Sequence, residues 1–367
     1  MPEKYKKILV INTFGIGDVL FSTPMIRALK AHSPGALIDA MCNERGRHIL
    51  RHNPDMHDII IFEKDDFREM FKKSKLGFTA KLIKFMKVIQ RGKYDLAIDL
   101  SLGHQISLLL LLLGIKKRIG FNYRNRGRFL TDKLNIDGFN DKHVVEHYLD
   151  ILKLIGIKQI ADKALRVSPS PELEQWADSF LARGALSGKT LVALAPGGGK
   201  SWGEYAAYRR WDPANFGYLA KKLSMKSEAM YFLIFGSSEE KEMGRAIEKG
   251  LAGKAANLCG GLSLPEAITL IKRCALLICN DGGLLHIAVS QGLKTVSIFG
   301  PVDDNVYGPY PPSERHRVVK AEGVRCRPCY KNFKHKTCRT HDCLKKIDRD
   351  KVLKLAEEAL FKTDEKK

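Results

Sequence analysis

Short apolar runs alternate with longer segments of helical apolar spacing along most of the 367-residue chain. Short runs bounded by turn residues are typical of buried strands, whereas apolar residues three or four positions apart are typical of amphipathic helices. The runs predict strands at 6–12, 36–42, 58–62, 94–100, 117–121, 190–196, 229–236, 275–281 and 294–300. The helical spacing predicts helices at 18–32, 66–90, 143–157 and 212–223.

This alternation begins twice, at 6–12 and at 190–196, and each beginning is a strand followed by a glycine-rich loop and a helix. A polar stretch with prolines, 158–173, is the best linker between the two blocks. We therefore predict an α/β protein with two doubly wound, Rossmann-like domains that face a cleft. The predicted parts are a first domain at 1–170, a second at 171–348, and a carboxy-terminal helix with a basic tail at 349–367.

The charge balance is strongly basic, with 62 Lys and Arg against 41 Asp and Glu and a net charge of +21. This favours an acidic partner, such as a nucleic acid, an anionic membrane surface or a phosphorylated substrate. The chain shows no helix-turn-helix, zinc-finger or RNP signature, so we expect no nucleic-acid partner.

Membrane insertion is not expected from the sequence. The longest apolar run, "ISLLLLLLGI" at 106–115, is shorter than the roughly 20 residues that span a bilayer, and it predicts a buried helix instead. The first residues contain no run of signal-peptide length. We therefore expect a cytoplasmic protein whose cysteines are mostly reduced.

The first glycine loop, "NTFGIGDVL" at 12–20, resembles only part of a dinucleotide-binding fingerprint. It lacks the third glycine, and Cys42 and Asn43 stand where a ribose-binding acid belongs at the end of the second strand. A nicotinamide cofactor is therefore disfavoured. The loop places Asp18 at a helix N-terminus, where this carboxylate can serve as a helix cap or as a general base.

The second loop, "APGGGKSW" at 195–202, resembles the end of a P-loop, but Leu194 stands where that pattern requires glycine. The next helix begins only near Asp212, so its amides do not follow the Gly-Lys-Ser directly as in a true P-loop. A kinase or NTPase, with Asp281 as its magnesium-binding acid, is a minor alternative. Lys200, Arg209 and Arg210 on this loop are suited to a diphosphate.

The third loop, "NDGGLLHIAVSQGL" at 280–293, follows a strand and opens a helix. Amides near Gly283 and Leu284 would accept anionic oxygens at that helix N-terminus. His286 lies one turn into the helix, where it can be a structural hydrogen-bonding residue or part of the anion site.

Four motifs in order resemble glycosyltransferase family nine, the heptosyltransferases that build the inner core of bacterial lipopolysaccharide. They are "GIGDVLFSTPMIRALK", "HVVEHYLDILKLIG", "APGGG…RRW" and "NDGGLLHIAVSQGLKTVSIFGP". The resemblance spans most of the chain. It implies a GT-B fold and an inverting, metal-independent transfer from ADP-L-glycero-D-manno-heptose.

The resemblance also implies site residues. Asp18 matches the catalytic base, Arg209 the phosphate-binding cation, and Glu239 an acid that binds the nucleotide ribose; Glu239 can equally be a first-turn helix residue. Gly282 replaces the usual Ser or Thr, and Arg209 stands where Lys is common. The stretch "KSWGEYAAY" lengthens the loop, so Lys200 can share the phosphate role. The predicted donor contacts are Gly17, Lys200, Arg209, Arg210, Glu239, Asp281, Gly282, Gly283, Leu284 and His286.

Two alternatives remain open at this stage. The chain can use another sugar nucleotide for a surface glycan, or it can be a nucleotide- or lipopolysaccharide-binding protein that retained the fold. No catalytic cofactor is expected in any of these cases.

Basic segments of the first half suit an anionic acceptor and the cytoplasmic face of the inner membrane, on which we expect a peripheral protein. These segments are 67–93 and 122–128. Arg124, Arg126 and Arg128 are the predicted acceptor contacts; the alternative is a solvated surface.

Four cysteines stand together near the carboxy terminus, with the spacing C-x2-C-x8-C-x4-C. Cys326, Cys329, Cys338 and Cys343 can form a structural zinc site, remain reduced thiols or pair as disulfides.

Overall fold

The computed structural model describes residues 5–199, 203–334 and 337–362, so Lys200 lies outside the described residues. The chain divides into two compact units, Met1–Ser168 and Pro169–Lys367. Each unit is built on its own sheet of six parallel strands, and helices connect most of these strands along the chain.

In the first unit, strands and helices alternate from the amino terminus. The strands are β1 (Lys7–Ile11), β2 (Leu37–Cys42), β3 (Asp58–Ile61), β4 (Leu96–Asp99), β5 (Lys117–Tyr123) and β6 (Asp132–Ile136). The helices are α1 (Ile16–Phe21), α2 (Thr23–His32), α3 (Glu44–Leu50), α4 (Lys64–Lys73), α5 (Lys75–Arg91), α6 (His104–Leu112) and α7 (Val144–Ile151), which continues as a 3₁₀ turn at Leu152–Ile155.

The second unit repeats this alternation. Its strands are β7 (Thr190–Ala195), β8 (Met230–Ile234), β9 (Ala255–Asn257), β10 (Leu276–Asn280), β11 (Lys294–Phe299) and β12 (His316–Lys320). Its helices are α8 (Pro171–Arg183), α9 (Pro213–Ser224), α10 (Lys241–Lys249), α11 (Leu264–Lys272), α12 (Gly283–Ser290), α13 (Asp304–Tyr307), α14 (Asp342–Lys345) and α15 (Arg349–Phe361). Shorter 3₁₀ helices lie at Gly203–Arg209 and Ser238–Glu240.

Both sheets have the same doubly wound strand order. It runs β3-β2-β1-β4-β5-β6 in the first unit and β12-β11-β10-β7-β8-β9 in the second. The chain therefore reverses its direction of winding between β1 and β4 and between β7 and β10. In open α/β sheets, loops separate at such a switch point and leave a crevice at the carboxyl ends of the strands.

Local sequence explains where several helices begin. Asp212 caps α9 by accepting a hydrogen bond from the Ala214 amide at 2.9 Å, and Pro213 occupies the first helical position. Gly156 ends the segment after α7 in the left-handed region, with φ of +92°.

The predicted strands are all present, but three further strands were missed. These are β6, at one edge of the first sheet, and β9 and β12, at the two edges of the second. In β6 partly buried and exposed positions alternate in "DKLNI", so it lacks the continuous apolar run by which the buried strands were recognised.

Two predicted helices are each divided in the structure. The segment 18–32 breaks at Ser22, just before Pro24, whose ring nitrogen cannot donate within a helix. The segment 66–90 breaks at Ser74, which is extended and whose side chain accepts from the Gly77 amide at 3.0 Å to begin α5.

The expectation of a buried helix at 106–115 is wrong for most of its residues. Within α6 only Ser107 and Leu110 are buried, whereas Leu112 is 69% exposed. A short helix that is apolar on every side can cover only one face with the sheet, so its other leucines remain at the surface. No helix in the described ranges has both the length and the apolarity to cross a membrane.

The carboxy-terminal helix α15 is part of the second unit. Val352 and Ala356 are fully buried in the apolar cluster that also contains residues of β7, β8, β10 and β11. The Tyr218 hydroxyl of α9 donates to Asp350 at 2.7 Å and fixes the start of the helix.

Candidate active site

The loop between β1 and α1 lies at the switch point of the first unit and holds Asp18 in the first turn of α1. The Asp18 carboxylate accepts a hydrogen bond from the Gly15 amide at 3.2 Å, so it does cap the helix. Asn12, directly after β1, donates to the Asp18 carbonyl oxygen at 2.8 Å and so holds the turn in place. Asp18 and the preceding Gly17 are only partly buried, so the carboxylate is both held in place and accessible.

Tyr148 is a residue near Asp18 that sequence reasoning did not single out. This α7 side chain is fully buried, and burial together with the negative charge of Asp18 raises the pKa of its hydroxyl well above the usual value. Tyr148 therefore stays protonated. Tyr148 belongs to the motif "HVVEHYLDILKLIG", and two other residues of that motif have structural partners. His143 caps α7 by accepting from the Val145 amide, and Glu146 pairs with Lys163 at 2.8 Å.

A second carboxyl group, Asp99, ends β4 directly beside β1, where it pairs in register with Ile11. Its side chain is buried and accepts from the Ser101 amide at 2.9 Å. Burial raises the pKa of Asp99 to about 6. The general rule that ligands bind at strand ends could have drawn attention to this residue, but its depth could not be known from sequence.

The three predicted acceptor arginines lie at the carboxyl end of β5. Arg124, Arg126 and Arg128 are exposed on the loop that follows this strand. Arg124 and Arg126 lie over the Tyr123 ring, at 5.1 and 5.9 Å from its centroid, and Arg128 lies over Phe129 at 5.0 Å. The structure thus keeps three cations at one loop and leaves their role as a prediction.

In the second unit, the two predicted glycine loops meet at the switch point between β7 and β10. Asn280 joins them, because its amide donates to the Pro196 carbonyl at 2.6 Å and accepts from the Trp211 amide at 3.0 Å. Gly198 and Gly282 lie back to back, and a Cβ added at Gly282 would approach the Gly198 carbonyl oxygen to 3.1 Å. The departure at Gly282 therefore has a local steric reason, which is this close approach of the two loops.

Arg209 and Asp281 form a buried ion pair at this edge. One guanidinium nitrogen of Arg209 lies 2.8 Å from the Asp281 carboxylate and also donates to the Asp281 carbonyl oxygen at 2.8 Å. Both residues are buried. Burial raises the pKa of Asp281, and the positive charge of Arg209 opposes this rise. The sequence placed both residues at the site but gave no indication that they pair.

Arg210 holds the second loop from the other side. Its guanidinium donates to the Gly197 carbonyl at 2.6 Å and lies 3.4 Å from the Glu240 carboxylate. Glu240 is buried and also accepts from the Ser237 amide at 2.7 Å. Glu239, the predicted ribose-binding acid, is exposed, so the structure separates two adjacent acids that the sequence could not distinguish.

The α12 N-terminus lies directly after Asp281. Its cap residue is Gly282, no side chain caps the helix, and no acidic side chain stands in the first turn. Gly283 and Leu284 are partly exposed there, whereas His286 is buried. Amide N–H groups and the helix dipole at such an end favour an anion, and the buried cation of Arg209 lies beside it.

The four carboxy-terminal cysteines belong to the same unit, and none of them forms a disulfide. As they stand, no group of three or more His, Cys, Asp or Glu side chains in the described parts of the chain is arranged to hold a metal ion. The zinc interpretation therefore remains a prediction.

The raised pKa of Asp99 gives a testable dependence of stability on pH. The Asp99 carboxyl has a pKa near 4 in the unfolded chain and about 6 in the folded one. Its contribution to the free energy of unfolding is therefore fully present below pH 4. About 3 kcal/mol of it is lost as the pH rises through 6. We expect Asp99→Asn, which keeps an acceptor for the Ser101 amide, to be more stable than wild type above pH 6 and to lose this advantage near pH 4. Urea unfolding of both proteins across this range measures the difference; a pH-independent difference would contradict the buried carboxyl.

Gly197 gives a second test. An added Cβ there would overlap the carboxylate of the buried Glu240. This carboxylate cannot move without losing its hydrogen bond from the Ser237 amide and its ion pair with Arg210. We expect Gly197→Ala to destabilise the second unit by about 1–3 kcal/mol in thermal unfolding. In Gly217→Ala the new Cβ meets nothing within 4 Å and lies in α9, so this control should unfold at the same or a higher temperature.

Comparison with known proteins identifies the family to which the chain is similar. Residues 82–339, more than half of the chain, match the profile of Glycosyltransferase family 9 (heptosyltransferase). The chain is 26% identical over 323 residues to Lipopolysaccharide heptosyltransferase 2 of Escherichia coli K12, covering 86% of this chain and 88% of that protein.

Two solved structures share the fold. The structure of E. coli ADP-heptose lps heptosyltransferase II superposes with a TM-score of 0.73 at 24% identity, covering 96% of this chain and 98% of that one. The glycosyl transferase family 9 structure from Veillonella parvula gives 0.81 at 21% identity, covering 98% of each. The predicted α/β fold, with two Rossmann-like units of the GT-B class, is therefore confirmed. Asp18 at one switch point and the Arg209–Asp281 pair at the other thus lie in an enzyme, and the chain belongs to glycosyltransferase family 9.

Proposed function

We propose that this glycosyltransferase transfers heptose from ADP-L-glycero-D-manno-heptose to the inner core of lipopolysaccharide, with inversion and without a metal ion. The names of the relatives support the sugar and the acceptor, since one is a lipopolysaccharide heptosyltransferase and another is described with ADP-heptose. The observation that carries the proposal is the position of Asp18, an accessible carboxylate fixed at the switch point of the first unit.

In the proposed reaction Asp18 is the general base. Its carboxylate takes the proton of the acceptor hydroxyl while that oxygen bonds to the anomeric carbon of the heptose. The bond from this carbon to the diphosphate oxygen breaks on the opposite face, which inverts the configuration and releases ADP. The hydrogen bond from the Gly15 amide to Asp18 holds the carboxylate in one orientation for this step.

The leaving diphosphate gathers negative charge as that bond breaks, and the second unit has groups suited to stabilise it. Arg209 supplies a cation whose position is fixed by Asp281, and the α12 N-terminus supplies amides at Gly283 and Leu284. These built-in groups support a reaction that needs no metal ion. Because Arg209 shares its charge with Asp281, we expect the α12 amides and Lys200 to carry part of the diphosphate charge.

The same groups suit other nucleotide diphosphate sugars, so a related donor is the second candidate. The observation that favours it is Gly282, where the family commonly has a hydroxyl residue; here the close approach of Gly198 leaves little room for one. Glu239, exposed after β8, is the proposed contact to the nucleotide ribose.

We further propose that the protein works at the cytoplasmic face of the inner membrane. The stretch 64–93 carries ten Lys and Arg against three Asp and Glu. Apolar side chains are exposed on its helices α4 and α5 and on α6. Phe71 of α4 is 54% exposed, Leu76 of α5 86% and Leu112 of α6 69%. Cations and apolar side chains together suit an anionic lipid surface, and Arg124, Arg126 and Arg128 suit the anionic acceptor.

Asp18→Asn separates the two roles of the carboxylate. The amide oxygen can still accept from the Gly15 amide, but it cannot take a proton, so we expect transfer to fall by about 10²- to 10⁴-fold. ADP affinity, measured by calorimetry, should stay near that of wild type, since no donor contact is removed. Initial rates with ADP-heptose and core-truncated lipopolysaccharide test this; an Asn variant with near-normal rates excludes Asp18 as the base.

The same assay with a panel of sugar nucleotides decides the donor.

Binding to lipid vesicles tests the membrane proposal. We expect the protein to bind anionic vesicles, with binding that weakens as salt is raised, and to bind neutral vesicles poorly. Replacing Leu76 and Leu112 by Ser should weaken binding several-fold. Met225→Ser, which removes a 74% exposed methionine from the second unit, is the matched control and should have no effect. Equal binding to neutral and anionic vesicles contradicts the proposal.

A further inference from the structure

The eight cysteines of the chain fall into two groups with different surroundings. Four of them are buried in apolar surroundings: Cys42, Cys259, Cys274 and Cys279. Burial raises the pKa of each of these thiols, as expected for unreactive core cysteines. The other four stand within the single stretch 326–343, and we call them the thiol cluster.

The stretch that carries the thiol cluster has little structure to hold it. Between β12 and α14 the described residues form only one isolated bridge, between Lys331 and Lys334. None of the described residues from 322 to 341 is buried. A loop of this length without an apolar core is uncommon in a compact domain and needs another source of order.

The ends of this stretch are nevertheless fixed at one place, the residues just after β11. The Cys329 amide donates to the Pro301 carbonyl at 3.0 Å. Leu344, next to the buried Cys343, packs so closely on Gly300 that a Cβ added there would lie 2.8 Å from its side chain. Cys329 and Cys343 are therefore both anchored beside Gly300 and Pro301.

Cys338 has a backbone setting suited to a thiolate. The His341 amide donates to the Cys338 sulfur at 3.3 Å. Amide hydrogen bonds to sulfur are a recurring support of metal-bound thiolates. The surrounding stretch 325–346 carries eight Lys and Arg against one Asp, which balances the negative charge of several thiolates.

We propose that the thiol cluster binds one thiophilic divalent metal ion, with zinc the best fit, through Cys326, Cys329, Cys338 and Cys343. A close C-x2-C pair with two later cysteines gives the four sulfur ligands of a structural zinc site. The four sulfurs do not enclose an ion in this structure. Binding therefore draws the exposed Cys326 and the partly buried Cys329 and Cys338 toward Cys343, and the thiol protons are released to solvent.

The position of the site gives the ion a structural task. The His341 ring contacts the Tyr208 ring in a tilted arrangement, with 4.7 Å between centroids, and Tyr208 immediately precedes Arg209. The Arg327 guanidinium, between the first two cysteines, donates to the Gly300 and Val302 carbonyls at 2.8 and 3.1 Å. A bound ion would thus order the chain after β11 and the segment that leads to the Arg209–Asp281 pair. This task does not depend on the identity of the donor or acceptor.

Metal content measured on the full-length protein purified without chelators tests the proposal. We expect close to one equivalent of zinc per chain. After removal with a chelator, titration with cobalt(II) should give the absorption of a tetrahedral thiolate complex at one equivalent. The metal-free protein should be cut by protease within 322–341 much faster than the metal-loaded protein.

Substitutions identify the ligands. Cys326→Ser, at the exposed end of the cluster, should lose most of the metal without unfolding the unit, as checked by circular dichroism. Cys274→Ala removes a core thiol and should retain the full equivalent, which makes it the matched control. A purified protein with under a tenth of an equivalent of metal and no cobalt absorption overturns the proposal. So does metal retained in Cys326→Ser, or disulfides found among the four cysteines.

Discussion

The buried ion pair between Arg209 and Asp281 constrains the second unit more than any other interaction at its switch point. A buried charge without a partner costs several kcal/mol, so each residue requires the other in place. Asp281 is fixed because it follows β10, and Arg209 because it ends a 3₁₀ helix just before the buried Trp211. Asn280 then joins both segments to Pro196, beside the point where Gly198 and Gly282 lie against each other.

The first unit solves a related problem with a partly exposed carboxylate. Asp18 caps α1, and the same hydrogen bond that stabilises the helix fixes the orientation of a group suited to accept a proton. Beneath it Tyr148 is buried and remains a neutral hydroxyl, because burial and the charge of Asp18 both disfavour its ionisation. The helix cap leaves the Asp18 carboxylate partly exposed, so the cap interpretation does not exclude the proposed role as a general base.

Two strongly basic segments contribute little to the apolar cores. The helices α4 and α5 contribute only Phe85 and Ile89 as buried residues, and present lysines and apolar side chains outward. The described residues of 322–341 contribute no buried side chain, and this stretch carries a dense set of cations around its thiols. Both segments have a composition that folding of the cores does not explain, which is why a lipid surface and a metal ion are proposed for them.

The sequence by itself determined the fold class, nine of the strands and the loops that carry the candidate site, because strands inside a parallel sheet favour continuous apolar runs and tight turns favour glycine. It also placed Asp18, Arg209 and Asp281 after strands, where the doubly wound fold puts its ligands. The edge strands β6, β9 and β12 were missed, since a partly exposed strand has no such run. Only the tertiary structure decided that Arg209 pairs with Asp281, that Glu240 rather than Glu239 is buried, and that Leu111 and Leu112 of α6 are exposed whereas Leu110 is buried. Burial and pairing depend on which surfaces distant segments cover, and a linear pattern of apolar and polar residues does not specify that.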